Sequence, residues 1–294
     1  MHYYFGIDGG GSGCRAVLSD GNGAILGKGV SGPANIGADT ANAILHIKEA
    51  AEQARLQVGL PSSIYITSVA VLGLAGANSL TDHAAAYKQL PFGRSSIVSD
   101  TVTALQGALG NGDGAIAILG TGSAFVKRTG DTVDVIGGRG FMLSDHAGGA
   151  RLGRDLLEQT LLVSDGINDE TELTRKTLGK FGDAARRITQ FSRTATAADY
   201  AAFAPMVFEC AAKGDPLGMK LVSNACVMIE RNLRALDIKA LGRFSITGGL
   251  AASYAALDLL PYKEFYTPAK GDSLQGALAL ALQNDRDQAT ATRK

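Results

Sequence analysis

Between Tyr3 and Asp20 the chain reads Tyr-Tyr-Phe-Gly-Ile-Asp-Gly-Gly-Gly-Ser-Gly-Cys-Arg-Ala-Val-Leu-Ser-Asp. An aromatic and aliphatic run ends on Asp8, glycines and Ser12 follow, and Cys14–Ser19 alternates as a strand does. The flanks favour strands and the glycines tolerate positive φ, so the stretch predicts a β-hairpin. A carboxylate at the tip of the first strand, beside exposed backbone N–H groups, suits a metal-bound phosphate; an ordinary glycine-rich turn is the competing reading. Gly11–Ala16 superficially fits the dinucleotide pattern G-x-G-x-x-A, but that site needs a helix after the turn, and here a strand follows. No complete G-x-x-x-x-G-K-[ST] phosphate loop is present.

The same order returns later. Ala115–Leu119 predicts a strand, Gly120-Thr121-Gly122-Ser123 a turn, Ala124–Arg128 a returning strand and Asp131–Ile136 a third. A third strand also follows the first hairpin, over 24–30. The chain thus implies a structural duplication, each half opening on a hairpin of phosphate size, unless a common meander has recurred by chance. Between the two hairpins come a helix to about Val58 capped by Asp39 or Thr40, and a buried strand over Ile64–Leu72. Helix Leu80–Gln89, strand Ser95–Ser99 and a helix opened by Asp100 complete the first half. Strand-then-helix alternation predicts parallel pairing in an α/β sheet. After the second meander a mostly helical stretch runs over 151–236, with breaks near 165–169, 179–183 and 214–216. Strand Arg243–Ile246, a helix over Asp272–Gln283 and a polar tail over 284–294 finish the chain.

Lys plus Arg and Asp plus Glu both number 28, so there is no charge excess to argue for nucleic acid. No apolar run is long enough to span a bilayer, and the early strand pattern, without a basic n-region or a long apolar core, argues against a signal peptide. Cys14, Cys210 and Cys226 are scattered, which fits a reducing cytoplasm and neither a disulfide framework nor a zinc site. His2, His46 and His83 are isolated and read as surface or packing residues. Asp100 stands where a strand meets a helix, a position that serves equally as an N-cap or as a carboxylate at the mouth of an α/β crevice.

Asp8-Gly9-Gly10-Gly11-Ser12, Leu119-Gly120-Thr121-Gly122-Ser123 and Thr247-Gly248-Gly249 recur in the order found across the actin, sugar kinase and Hsp70 superfamily. Within it the chain resembles the BadF/BadG/BcrA/BcrD ATPase group, which contains N-acetylglucosamine kinase and bacterial glucosamine kinases. Gly73-Leu74-Ala75-Gly76, Ser99-Asp100, Gly137-Gly138-Arg139-Gly140, Ser144-Asp145 and Gly271–Ala277 extend the resemblance over nearly the whole chain. It implies an α/β fold of two RNase H-like, actin-like ATPase lobes related by duplication, with an active-site cleft between them. The lobes would span 1–110 and 111–271, the helix of about 272–294 packing back on the first.

The resemblance also implies roles. Asp8 would help hold Mg²⁺, while the amides of Gly10, Gly11 and Ser12 and the Gly120-Thr121-Gly122 turn would clasp the phosphates of ATP. Gly248, Gly249 and Ala211 would accommodate adenosine, and Asp100 would be the catalytic base, orienting a sugar hydroxyl and accepting its proton. Asn35 and Asp145 would contact sugar hydroxyls, with turn former and helix cap as their bland readings; Ser123, Ala124, Gly138, Arg139 and Gly140 would shape the pocket. Arg139 stands where eukaryotic relatives carry Trp, and His146 where Glu is common; this chain has no Trp. An arginine meets polar substituents where Trp would stack, so free glucosamine competes with N-acetylglucosamine as acceptor. The expectation is a cytoplasmic, homodimeric, ATP-dependent kinase acting on the 6-hydroxyl of an amino sugar, without nucleic-acid or membrane partners. The alternative is an ATPase switch that activates a partner protein.

Overall fold

The period-two stretches pair as the sequence predicts in a computed structural model, which describes residues 2–80 and 82–291 apart from the side chains of 83 and 287–291. Two compact units divide the chain, Met1–Gly112 with Ala269–Lys294, and Asp113–Pro268. In the first, β1 (Tyr4–Gly9) runs antiparallel to β2 (Cys14–Ser19), and β2 to β3 (Ile25–Ser31). Phe5, Ile7, Ala16 and Leu18 alternate onto one face and are buried against Ile44, Ile47 and Ala51 of α1 (Thr40–Val58). Each large apolar side chain so buried contributes about 1.5–3 kcal/mol. Asp39 caps α1, its carboxylate accepting the Asn42 N–H at 3.1 Å, and Gly59 ends it at φ 69°.

One expected strand is not there in full. Ser62–Thr67 forms a 3-10 helix, and β4 spans only Val69–Leu74. A strand would put Ile64 and Ile66 on the same face. Instead Ile64 is 6% exposed and Ile66 75%, because Tyr65 turns inward to stack on Phe5 at 5.5 Å between ring centroids. α2 (His83–Gln89) follows its cap Asp82, while Thr81 and the His83 side chain, both inside earlier expectations, lie outside the described residues. β5 (Arg94–Ser99) leads directly into α3 (Asp100–Leu109). Parallel pairs β1–β4 and β4–β5 complete a five-stranded sheet of order β3-β2-β1-β4-β5.

The second unit repeats the plan. β6 (Gly114–Leu119), β7 (Ser123–Thr129) and β8 (Thr132–Gly137) form an antiparallel meander. A helical stretch follows: α4 (Gly149–Ser164), α5 (Glu172–Lys180), α6 (Ala185–Ser192), α7 (Ala197–Ala201), α8 (Ala204–Ala212), α9 (Pro216–Ala235) and α10 (Ile238–Leu241). One break the sequence reading passes over precedes α7, where Thr196 and Asp199 form a reciprocal capping box. β9 (Phe244–Thr247) then lies parallel to β6, giving the order β8-β7-β6-β9, before α11 (Ala251–Ala255). An isolated parallel bridge from Phe244 to Tyr266 stands where β5 stands in the first sheet. Two sheets with one winding order make this a pair of RNase H-like α/β units.

The last helix, α12 (Ser273–Ala291), belongs to the first unit, where Ala277, Leu278 and Ala281 cover the sheet face carrying Tyr4, Val17, Val69 and Val71. It runs well past Gln283, through most of the expected polar tail; 292–294 lie outside the described residues. Asp285 explains the extension, accepting the Tyr4 hydroxyl at 2.7 Å and pairing with Arg94. Among the described residues no helix is long and apolar enough to cross a membrane.

Candidate active site

Asp8 sits one residue before the end of β1, directly across the hairpin from Arg15. Gly10 N–H donates to the Gly13 carbonyl at 2.9 Å and closes the turn between them. A Cβ added at Gly10 or Gly11 would meet nothing within 4 Å, so this turn presents bare backbone to open space. Asp8, Gly9, Gly10, Ser12, Gly13, Arg15 and Asp100 line a cavity of about 300 Å³. Arg15 donates to the Asp8 carboxylate from Nη2 at 2.6 Å and Nε at 3.2 Å. Its Nη1 donates to Asp272 at 2.9 Å. Neither Arg15 nor Asp272 has a place in the sequence reading of the site, although a short hairpin with Asp8 and Arg15 flanking its turn already pairs them across the strands.

Asp100 is the first residue of α3, yet it is not its cap. Ser99 occupies that position, and the Asp100 carboxylate accepts the adjacent Thr101 N–H at 2.9 Å. Burial raises its proton affinity above the usual carboxylate range, the Thr101 N–H opposes that rise, and the nearby Asp8 charge adds to it. Two carboxylates facing one cavity beside open amides form a site that favours a cation. Among the described residues no cluster of three or more His, Cys, Asp and Glu could hold a metal. That donor set fits Mg²⁺, which keeps several waters and takes one or two carboxylates together with phosphate oxygens.

Asn35 lies in a loop tied to the same turn. Ala34 N–H donates to the Gly10 carbonyl at 2.8 Å, and Ala75 N–H to the Gly9 carbonyl at 2.8 Å. The Asn35 side-chain oxygen accepts the N–H groups of Gly37 and Ala38, at 3.2 and 3.1 Å. Its amide nitrogen makes no such backbone contact and is the end available to a ligand.

In the second unit Gly120, Thr121 and Gly122 turn between β6 and β7, and the protein's own backbone braces them. The first N–H groups of α4, on Gly149 and Ala150, donate to the Gly120 and Thr121 carbonyls at 2.8 and 2.9 Å. Gly248 has φ 93°, and a Cβ there would sit 2.5 Å from the Leu119 carbonyl oxygen. Gly248 is therefore glycine for close backbone approach as well as for its turn. At Gly249 a Cβ would meet nothing within 4 Å. Ala211 lies on α8, against Gly218 near the start of α9.

The remaining expected residues cluster around the same turn. The Ser123 hydroxyl donates to the His146 carbonyl at 2.6 Å. Ala124 pairs with Gly137, and its Cβ is the neighbour a side chain at Gly138 would meet. Asp145, at φ 55°, accepts the Gly140 N–H at 3.1 Å, and its other oxygen leans over Gly122, where it would overlap a Cβ. Arg139 is exposed between Gly138 and Gly140.

With strand, glycine turn and strand used once in each unit, the chain matches the BadF/BadG/BcrA/BcrD ATPase family over residues 5–265. The chain belongs to that family. It is 35% identical over 282 residues to a glucosamine kinase of Vibrio cholerae, covering 96% of each chain. It is 27% identical over 315 residues to the N-acetyl-D-glucosamine kinase of Dictyostelium discoideum, covering 96% of this chain and 98% of that one. A crystal structure from Chromobacterium violaceum, of a protein carrying the name N-acetylglucosamine kinase, superposes with a TM-score of 0.87 at 32% identity. That match covers 96% of this chain and 99% of the other.

Proposed function

We propose that this family member is an ATP- and Mg²⁺-dependent kinase that phosphorylates the 6-hydroxyl of an amino sugar, glucosamine before N-acetylglucosamine. The cavity shared by Asp8, Asp100 and the bare Gly10–Ser12 backbone carries this reading. Asp100 orients the acceptor hydroxyl and takes its proton as the sugar oxygen bonds to the γ-phosphorus and the bond to ADP breaks. Its raised proton affinity makes it a stronger base than an ordinary surface carboxylate. Asp8 would hold Mg²⁺, directly or through water. When bound, the ion supplies charge neutralisation for the polyphosphate.

The N–H groups of Gly10, Gly11 and Ser12, and the Gly120–Gly122 turn, bind phosphate oxygens. Gly248 and Gly249, with Ala211, serve the adenosine end. Asn35 and Asp145 contact sugar hydroxyls, and Ser123, Ala124, Gly138, Arg139 and Gly140 shape that pocket. Glucosamine takes precedence because the curated relative at 35% identity over nearly the whole chain is a glucosamine kinase. Exposed Arg139 agrees with it, since a charged guanidinium favours polar contacts where an indole would present a large apolar face to an acetamido group. The reading extends to a cytoplasmic homodimer, which sedimentation velocity tests.

The deciding experiment measures ATP consumption and sugar phosphate formation with glucosamine, N-acetylglucosamine, glucose and mannosamine. Turnover that requires an amino sugar is expected. ATP hydrolysis that ignores sugars and responds to a protein would sink the kinase reading in favour of a switch.

A further inference from the structure

The C-terminal helix touches both elements that carry the acidic pair, and it does so backbone to backbone. A Cβ at Gly6 of β1 would lie 2.6 Å from the Leu278 nitrogen of α12. On the other side, a Cβ at Gly107 of α3 would overlap the Asp272 carbonyl, and one at Gly276 of α12 would lie 2.5 Å from the Gly107 nitrogen. At these glycines no side chain separates α12 from β1 or α3, so its first turn is fixed relative to both Asp8 and Asp100.

That first turn is led by Asp272, whose two carboxylate oxygens have different partners. Oδ1 accepts the Gln275 N–H at 3.0 Å, and the Gln275 side-chain oxygen accepts the Asp272 N–H at 3.0 Å. This is a reciprocal cap on α12, and it accounts for only one oxygen. Oδ2 accepts Arg15 Nη1 at 2.9 Å, while Nη2 and Nε of the same guanidinium hold Asp8. Arg15 is thus divided between the acid at the glycine turn and the acid at the head of α12.

We propose that Asp272 is a positioning residue for the metal–phosphate site, acting through Arg15 to limit its grip on Asp8. The inference rests on the reading above in which Asp8 faces the magnesium nucleotide. A carboxylate held by two guanidinium N–H groups is partly neutralised and drawn toward β2, so Arg15 competes with a metal ion for it. Asp272 engages the third N–H and fixes the guanidinium. Without that charge Arg15 turns wholly to Asp8, and the metal must displace a stronger competitor.

Asp272→Asn separates this role from capping, because Asn caps helices as well as Asp does. Calorimetric binding of ADP to the full-length chain, titrated over Mg²⁺ concentration, needs no phosphoryl transfer, so it succeeds or fails independently of the kinase reading. The Mg²⁺ concentration giving half-maximal ADP binding should rise about three- to fivefold, the scale of one exposed ion pair, with the melting temperature held. Asp272→Ser, another good cap that cannot reach Arg15, should behave alike. In an Arg15→Gln background the same Asp272 changes should shift nothing. An unchanged Mg²⁺ requirement in both Asp272 variants overturns the proposal. So does an equal shift with and without Arg15, or ADP binding that ignores Mg²⁺ in the parent protein.

Discussion

The β1–β2 turn and the β6–β7 turn each join the first two strands of a sheet with one winding order, and each is rich in glycine. Their surroundings differ. At Gly10 and Gly11 an added Cβ would touch nothing, and charge crowds the strands beside them: Asp8, Arg15 and, across the cavity, Asp100. At Gly122 an added Cβ would overlap the Asp145 carboxylate, and β6 ends on neutral Leu119. The second turn is held by the first N–H groups of α4 and by the approach of Gly248 to Leu119. One glycine sequence leaves room for a ligand; the other also lets the protein pack on itself. Substitutions of glycine in the first should therefore change chemistry and spare the fold, whereas those at the packed glycines of the second should cost stability as well as ligand binding.

The largest effect tests the charged side. Asp100→Asn should lower kcat about 10²–10⁴-fold, the usual contribution of a general base, with Mg·ADP binding retained by calorimetry. The same change should stabilise the protein at neutral pH, measured by thermal melting without nucleotide or Mg²⁺. Burial, and then the Asp8 charge, raise the folded-state pKa of Asp100 above its ordinary 3.8. Below that value both states are protonated and the carboxyl costs nothing. As pH rises from there, the unfolded chain ionises first and stability falls, until the folded carboxyl ionises too. Asn removes that loss, so parent and variant should converge in acid and separate toward neutrality. Near-parental turnover, or a destabilised variant, would break the comparison at its charged end.

Gly248→Ala comes next and should destabilise the chain by about 2–4 kcal/mol in denaturant unfolding, because it adds φ strain to a backbone overlap. A folded, fully stable variant would show that the second turn is not built by self-packing. Gly11→Ala is the converse. Stability should change by no more than about 0.5 kcal/mol, as expected where a side chain enters open space. Mg·ADP affinity should fall about tenfold, equivalent to one charge-assisted hydrogen bond lost to a methyl in its path.

This asymmetry was only half legible in the sequence. Periodicity and glycine spacing were enough to read the two meanders and most of the helices, because alternation follows from which face each strand buries. Ser62–Thr67 escaped because its β-branched residues satisfy strand propensity, while the inward turn of Tyr65 onto Phe5 is a tertiary demand. The tail beyond Gln283 reads as polar and loose because its anchor, Asp285 with Tyr4 and Arg94, spans most of the chain length. For the site, residue types and order suggest which side chains matter, and the structure gathers Asp8 with Asp100 and Gly122 with Asp145 and Gly140. Burial and contact alone reveal that Asp100 is not a cap, that Ser123 spends its hydroxyl on His146, and that Asp272 reaches Arg15.

The smallest expected effect is the most specific to the second turn. Gly138 and Gly140 have φ 66° and 90°, and the Gly140 N–H is held by Asp145, so the path of the loop is set without Arg139. Arg139→Trp should therefore leave the melting temperature unchanged and alter only what the loop presents to an acceptor. An indole stacks on a flat acetamido group, and a guanidinium does not need one. The ratio of kcat/KM for N-acetylglucosamine over glucosamine should rise about three- to tenfold, the size of one gained or lost contact in a binding pocket. A lowered melting temperature would mean that the loop depends on Arg139 after all. An unchanged ratio in a stable protein would remove Arg139 from specificity and leave discrimination to Asn35 and Asp145.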